Sequence, residues 1–127
     1  MDRSRPRWQT VVFWILSVIL CLLFLMAGGT KLAGAKNAVE GFEHLRLPQW
    51  FRIVTGVIEV AAAVLVIIPK TRFWGAALIV CTMIGATATH LRIGETWTAL
   101  GPVVFGIMAF VLAWTHRPPR LAGGAAA

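Results

Sequence analysis

Four long apolar runs limit what this chain can fold into more than any other feature. They lie at about residues 9–29, 51–68, 73–90 and 98–114. A helix crosses the hydrocarbon core of a membrane with about 20 apolar residues, in a range of about 17–25. The first three runs meet this length. The fourth is shorter and carries Pro102 near its start, where a missing N–H costs nothing. Because lipid offers no partner to an unpaired backbone group, we predict that all four runs are helices.

The composition excludes the other classes of protein to which a chain of this length could belong. Of its 127 residues, 58% are hydrophobic and 13% are charged, whereas soluble domains average about 25% charged residues. A small soluble domain buries the smallest fraction of its surface, so it cannot hide this much apolar area. A soluble domain, a disordered tail and a secreted disulfide scaffold are therefore excluded. We predict an all-α, integral membrane four-helix bundle as a single domain over residues 1–117, with a flexible tail over residues 118–127.

The basic residues predict the orientation of this bundle. Lys and Arg number 12 against 5 Asp and Glu, but they flank the apolar runs and do not line one helical face, which argues against nucleic-acid binding. Seven of them fall on the side of the two termini: Arg3, Arg5, Arg7, Lys70, Arg72, Arg117 and Arg120. Five fall on the other side: Lys31, Lys36, Arg46, Arg52 and Arg92. Because cytoplasmic loops carry the excess of Lys and Arg, this distribution predicts a multi-pass protein of the inner (plasma) membrane with both termini in the cytoplasm.

Tryptophans mark the ends of the apolar runs. Five of the six lie at a boundary: Trp8, Trp50, Trp74, Trp97 and Trp114. Amphipathic indole rings prefer the membrane interface, so these positions agree with four spans. The alternative for the first run is a cleaved signal peptide, since a basic start precedes an apolar stretch. That stretch covers residues 11–27 and is longer than the usual apolar core of a signal peptide, which favours a helix that is retained.

The one long connection, at about residues 30–50, has a helical pattern of its own. Charged residues alternate in it with apolar residues at helical spacing. The apolar residues are Ala38, Val39, Phe42 and Leu45. This spacing predicts a short amphipathic helix in the outer loop, lying on the bundle or on the membrane surface. Of the other polar residues near this side, Glu95 is expected to be solvated, and His44, alone in a loop, is not expected to be a ligand.

Glu59 is the most informative single residue, because it lies inside the second run. It stands eight residues past Phe51, which places it about 12 Å along a helix from the outer end. An acidic side chain at that depth costs about 2.5–3.5 kcal/mol on insertion scales, so we expect it to face the bundle interior and to be paired. Its neighbours one turn away are small and let another helix approach closely: Thr55, Gly56, Ala62 and Ala63.

Two further ionisable residues are predicted to lie in the same outer half of the bundle. Lys31 closes the first run, and His90 closes the third. With Glu59 they form either a polar intramembrane cluster that binds a ligand, or a structural Glu59–Lys31 or Glu59–His90 pair that fixes the helix register and binds nothing. The sequence has no metal-ligand spacing, phosphate-binding loop or nucleophile elbow. No catalytic residue and no metal site are therefore predicted, and the balance is against an enzyme.

Short motifs in a fixed order resemble the DoxX-like family of small four-helix membrane proteins. The motifs follow the chain through the first three runs: FLMAGGTKL, FEHLRLPQW, TGVIEVAAAVLVIIP and MIGATATHLRIGE. The resemblance covers about residues 9–115 and implies a four-helix transmembrane bundle, with Lys31, Glu59 and His90 at the positions of the family's polar residues. Members of that family are linked with thiosulfate–quinone oxidation, methylamine utilisation and oxidative-stress complexes, which implies redox work near the membrane. The chain has no CxxC for dithiol chemistry.

Two functions compete at this stage. The first, which the sequence favours because no cofactor motif is visible, is an accessory or structural subunit of a larger membrane complex, such as a redox complex. The second is a membrane redox partner that binds a quinone or another small molecule through Lys31, Glu59 and His90. The expected partners are membrane lipid and either another membrane protein or a second copy of the chain. A transporter is disfavoured, because four short helices show no inverted repeat.

Overall fold

Helices account for most of the chain that the structure describes. The structure is a computed structural model and describes residues 5–119. Its α-helices, in order, are α1 (Arg7–Ala33), α2 (Lys36–His44), α3 (Gln49–Ile67), α4 (Arg72–Arg92) and α5 (Leu100–Thr115). One turn of 3-10 helix joins α3 to α4, and residues 5–119 contain no strand. The all-α class is thus confirmed for this range. The predicted tail beyond residue 119, with Arg3 and Arg120 of the basic count, lies outside the described residues.

Three helices are long and apolar enough to cross a membrane, namely α1, α3 and α4. α5 is also apolar but has 16 residues, so the count of four spans stays a prediction. α3 and α4 begin and end within two residues of the predicted runs. α1 continues past the predicted end at residue 29 as far as Ala33, where Gly34 turns the chain with a φ of 71°. The three longest helices therefore agree with the apolar pattern.

The four apolar helices pack side by side around one core. α1 lies against α3, α3 against α4, and α4 against α5, while α1 and α5 meet mainly through side chains such as Phe24 and Phe105, whose ring centroids are 6.4 Å apart. Each helix contributes a fully buried side chain to the core: Leu20, Val66, Ile79 and Leu112. The outer surface is apolar as well, with Met26 68% and Ile84 64% exposed. A continuous apolar exterior is unfavourable in water but favourable in lipid, as expected for a membrane protein.

Two glycines allow the helices to approach closely. A Cβ atom on Gly28 of α1 would lie 2.8 Å from the carbonyl oxygen of Gly56 in α3. A Cβ on Gly75 of α4 would lie 2.4 Å from the amide nitrogen of Val66 in α3. Small residues at such crossings give membrane helices their packing contacts, since lipid supplies no hydrophobic drive for association. The close contact between α1 and α3 at Gly28 also places Lys31, one turn later in α1, against α3.

α2 is the short helix that the connection between α1 and α3 was predicted to form. Its residue Phe42 is buried and packs edge-on against Phe51 of α3, with 6.4 Å between ring centroids. Gln49 Nε2 donates a hydrogen bond of 3.1 Å to the carbonyl oxygen of Val39. Arg46, with a φ of 59°, then turns the chain from α2 into α3. These contacts hold α2 across the ends of the long helices, while its place on the outer side of a membrane stays a prediction.

Candidate functional site

The buried ion pair between Lys31 and Glu59 is the centre of the candidate site. Lys31 Nζ lies 2.8 Å from Glu59 Oε1, and the Glu59 side chain is 6% exposed. Glycine makes the meeting possible, because a Cβ on Gly56 would lie only 3.1 Å from the Cβ of Lys31. The sequence left a Glu59–Lys31 pair and a Glu59–His90 pair open, and the structure has the Glu59–Lys31 pair.

Lys31 does not use the whole hydrogen-bonding capacity of Glu59. Lys31 Nζ, at 2.8 Å, compensates the charge of the carboxylate at Oε1, an atom that is fully buried. A carboxylate has about four lone-pair sites on its two oxygens, so one ammonium partner leaves part of its capacity to accept hydrogen bonds. Both side chains line the cavity described below.

His90 lies near this pair but has a different partner. Its ring lines the same cavity as Lys31 and Glu59. Its Nδ1 atom lies 3.4 Å from Oε2 of Glu95, in the connection between α4 and α5. The structure therefore brings Lys31 and Glu59 into contact and places His90 on the cavity wall, where it pairs with Glu95.

A second polar cluster joins α2 to the end of α4, and sequence reasoning missed it. His44 Nε2 pairs with Glu95 Oε1, and Arg92 donates a hydrogen bond of 2.6 Å to the carbonyl oxygen of Leu45. The hydrogen bond from His44 lowers the pKa of Glu95 below its ordinary value, and His90 lowers it further. Glu95 is partly exposed, but it also pairs with two histidines, which the sequence did not predict. No sequence signal pairs His44 with Glu95, because the contact depends on how the two connections fold.

The cavity beside these groups, here called the loop cavity, is formed by the end of α1, by α2, by the start of α3 and by the end of α4. It has a volume of about 640 Å³. Its apolar wall includes large side chains from three helices: Phe42, Phe51, Ile58, Leu78 and Met83. Lys31, Glu59 and His90 supply its ionisable groups. A mainly apolar cavity of roughly 300–1,000 Å³ with a few convergent polar groups is typical of small-molecule sites.

The α4 wall of the loop cavity is built from small residues. Cys81, Gly85 and Thr89 follow one another at intervals of one turn and all line the cavity. A Cβ placed on Gly85 would meet no atom within 4 Å, so the cavity is open at this point. Cys81 is an exposed free thiol. Within residues 5–119, no group of three or more His, Cys, Asp or Glu residues is arranged to hold a metal ion.

Comparison with known proteins gives one match. The model of a family described as DoxX-like matches residues 15–113, a range that runs from within α1 almost to the end of α5 and contains Lys31, Glu59 and His90. The match confirms the resemblance seen in the sequence motifs. No curated protein and no solved structure matches the chain.

Proposed function

This chain belongs to the DoxX-like family, and we propose that it is a membrane protein whose loop cavity binds a small amphipathic molecule of the quinone class. One observation carries the proposal. A buried carboxylate and its ammonium partner line a mainly apolar cavity of about 640 Å³. A cavity of this volume is large enough for one ring system.

The chemistry of the cavity fits a ring that carries both carbonyl and hydroxyl oxygens. The Lys31 ammonium has three N–H donors, so it can donate to a carbonyl oxygen while it stays paired with Glu59. The Glu59 carboxylate, which lines the cavity, can accept a hydrogen bond from a hydroxyl group. Phe42 and Phe51, which contact each other edge-on beside the cavity, offer aromatic faces to a flat ring. The same three features would also accept other small amphipathic molecules, so the class is defined by this donor and acceptor pattern.

A second candidate is an accessory subunit of a larger membrane complex, which need not bind a small molecule. The observation that favours it is the open surface of Cys81, Gly85 and Thr89 on α4. Small residues one turn apart let a partner helix approach closely, and no atom of this chain lies within 4 Å of a Cβ built on Gly85. A partner helix on this surface would cover the cavity that the first proposal assigns to a ligand.

The proposal includes four spans in the inner membrane with both termini in the cytoplasm. The alternation of helix directions supports it, since the start of α1, the α3–α4 turn and the end of α5 line one cavity together. Four basic residues line this cavity, which agrees with a cytoplasmic location: Arg5, Lys70, Arg72 and Arg117. Reporter fusions after Lys36 and after Arg120 should then report opposite sides of the membrane. Both fusions on one side would overturn the topology.

Glu59→Gln tests the ligand proposal against the subunit proposal. The amide keeps the shape of the side chain but removes its charge, so the bundle should fold while the bound molecule is lost. The protein is purified in mild detergent without crosslinking, and the extracted small molecules and co-purified proteins are both quantified. Glu40→Gln is the matched control, because Glu40 is an exposed carboxylate in α2 that pairs only loosely with Lys36, at 3.9 Å.

Each outcome of this experiment assigns one function. A quinone-class molecule retained by the wild type and by Glu40→Gln, but lost from Glu59→Gln, supports the ligand site. A stoichiometric partner protein, with no extracted molecule in any sample, supports the accessory subunit. Equal ligand content in wild type and Glu59→Gln at equal protein level contradicts a site that depends on Glu59.

A further inference from the structure

A second cavity lies at the opposite end of the bundle from the loop cavity. This terminal cavity has a volume of about 690 Å³. Three parts of the chain form it: the start of α1 with Arg5, the turn before α4 with Lys70 and Arg72, and the segment after α5 with Arg117. It shares no lining residue with the loop cavity, so it is a separate site.

Among residues 5–119, the charged side chains that line the terminal cavity are all of one sign. Arg5, Lys70, Arg72 and Arg117 line it, and no Asp or Glu of residues 5–119 does. The acidic residues of that range all lie nearer the other end of the helices or in its loops: Glu40, Glu43, Glu59 and Glu95. Four cations around one concave site produce a strong positive potential, which attracts an anion. The described part of the chain supplies no anion to this cavity.

Arg72 is held firmly in the wall of this cavity. It is only 3% exposed. Its Nε donates a hydrogen bond of 2.9 Å to the carbonyl oxygen of Val66, and one Nη donates at 3.1 Å to that of Ile67. Its guanidinium also stacks over the ring of Trp14 at 4.3 Å. A guanidinium has five N–H donors and these two bonds use two of them, so Arg72 retains donors for a ligand in the cavity that it lines.

The other arginines are oriented by aromatic rings and by His116. The guanidinium of Arg5 lies 4.9 Å from the Phe13 ring centroid, and that of Arg117 lies 4.1 Å from the Trp114 ring. His116 Nδ1 donates to the carbonyl oxygen of Leu112 at 2.9 Å, while its Nε2 lies 3.3 Å from an Arg5 nitrogen and accepts from it. Burial lowers the pKa of His116, which keeps the ring neutral and able to accept this hydrogen bond.

We propose that the terminal cavity binds the phosphate group of an anionic phospholipid. Guanidinium groups form paired, charge-assisted hydrogen bonds with phosphate oxygens, and basic pockets between membrane helices bind anionic lipid headgroups. The surroundings favour a lipid over free phosphate as the source of that group. Trp114 and Phe110, both more than half exposed, stack at 6.1 Å and form an apolar strip that leads from the cavity along α5. An acyl chain would lie on this strip while its phosphate contacts the cations.

Native mass spectrometry on the full chain tests the proposal. The protein is released from mixed micelles that contain phosphatidylglycerol and phosphatidylcholine in equal amounts, and the ratio of the two retained lipids is measured. The test variant is Lys70→Gln/Arg117→Gln, which removes two cations from the rim and leaves Arg72 in place. The matched control, Lys36→Gln/Arg46→Gln, removes two exposed cations from the other end of the bundle. Inorganic phosphate in excess serves as a competitor.

We expect the wild type and the control to retain phosphatidylglycerol in preference to phosphatidylcholine. The test variant should lose this preference by about tenfold, because two charge-assisted contacts are gone. Equal retention of the two lipids by the wild type overturns the proposal, and this arm does not depend on whether the variant folds. An unchanged preference in the folded test variant also overturns it. Displacement of the lipid by inorganic phosphate, together with thermal stabilisation by phosphate alone, would assign the site to free phosphate and contradict the lipid.

Discussion

The loop cavity and the terminal cavity are similar in size, at about 640 and 690 Å³, but they balance their charges differently. In the loop cavity the buried carboxylate of Glu59 already has its counterion, Lys31, on the neighbouring helix. In the terminal cavity four cations face one another without an acidic partner from residues 5–119. The first arrangement suits a neutral ligand with hydrogen-bonding groups, and the second suits an anion. The two proposals therefore assign chemically different ligands to the two ends of one bundle.

The difference also predicts how each end responds to the loss of a charge. At the loop cavity, Lys31 and Glu59 form an ion pair between α1 and α3, so removing one of them leaves the other charge without its counterion. At the rim of the terminal cavity the charges repel one another, so the removal of one exposed cation relieves repulsion. Stability measurements should separate the two ends even before any ligand is identified.

Glu59→Leu should have the largest effect on stability. The substitution leaves the Lys31 ammonium without its counterion in mainly apolar surroundings. Breaking such a pair in soluble proteins costs about 3–5 kcal/mol, but couplings measured between membrane helices are mostly below about 2 kcal/mol. We therefore expect the free energy of unfolding, measured by titration with a denaturing detergent, to fall by about 2 kcal/mol. Lys70→Gln is the comparison at the other end and should leave the free energy within about 0.5 kcal/mol of the wild type.

A double-mutant cycle shows whether this cost comes from the pair itself. Adding Lys31→Met to Glu59→Leu removes the stranded ammonium and leaves two apolar side chains in contact. The double variant should recover much of the stability lost in Glu59→Leu, because apolar replacement of a whole buried pair is often neutral or stabilising. If the free energy of unfolding of Glu59→Leu equals that of the wild type, the ion pair contributes little to stability.

The sequence limits the partner of Glu59 to Lys31 or His90, because a contact between regular helices depends on their register. Glycine at positions 28 and 56 indicates a close crossing, and the depth of Glu59 follows from its distance along α3. The partner of His90 could not be predicted in this way. It pairs with Glu95, whose position depends on the turn after α4, where Gly94 has a φ of 81°. Contacts within and between regular helices follow from spacing, whereas contacts made by connections depend on local backbone angles that apolar periodicity does not encode.

The terminal cavity shows a second kind of limit. In the sequence, Arg5, Lys70, Arg72 and Arg117 have one evident role, which is to set the orientation of the chain in the membrane. Their convergence on one cavity appears only when the start of α1, the α3–α4 turn and the end of α5 are brought together. A residue can thus contribute both to topology and to a site, and a count of charges on each side detects only the first role.

Gly85→Leu should have a smaller effect, confined to the loop cavity. A side chain at this position enters open space, since a Cβ there meets no atom within 4 Å. Leucine is also a better helix former than glycine, so the bundle should fold at least as well as the wild type. The amount of quinone-class molecule that co-purifies should fall by about tenfold, the equivalent of about 1.4 kcal/mol of binding free energy.

Gly29→Leu is the matched control for this change. Gly29 lies on the exposed side of α1, does not line the loop cavity, and also has no atom within 4 Å of a Cβ. It should keep the full ligand content. Both variants should retain phosphatidylglycerol as the wild type does, because neither position lines the terminal cavity. A Gly85→Leu protein with undiminished ligand would move the binding site away from this cavity.

The smallest expected effect concerns the pH response of α2, which covers the loop cavity. His44 and Glu95 join α2 to the connection after α4, and the hydrogen bond from His44 lowers the pKa of Glu95. A carboxylate with a lowered pKa in the folded protein stabilises it above the unfolded pKa, which is about 4.3 for glutamate. This contribution is lost as the pH falls below that value and through the pKa of the folded state. No comparable contact joins the terminal cavity to an acidic group of residues 5–119.

Hydrogen exchange of the α2 amides, relative to those of α5, measures this response. Dividing by the α5 rates removes the general dependence of exchange on pH, and α5 is a suitable reference because it contains no titratable side chain. Between pH 6 and pH 3 the relative protection of α2 should fall in the wild type, since protonation of Glu95 weakens its bond to His44. In Glu95→Gln the relative protection should be lower at pH 6 and should not change further at pH 3. An equal response to pH in both proteins would mean that another group controls α2, and that the cover of the loop cavity does not depend on Glu95.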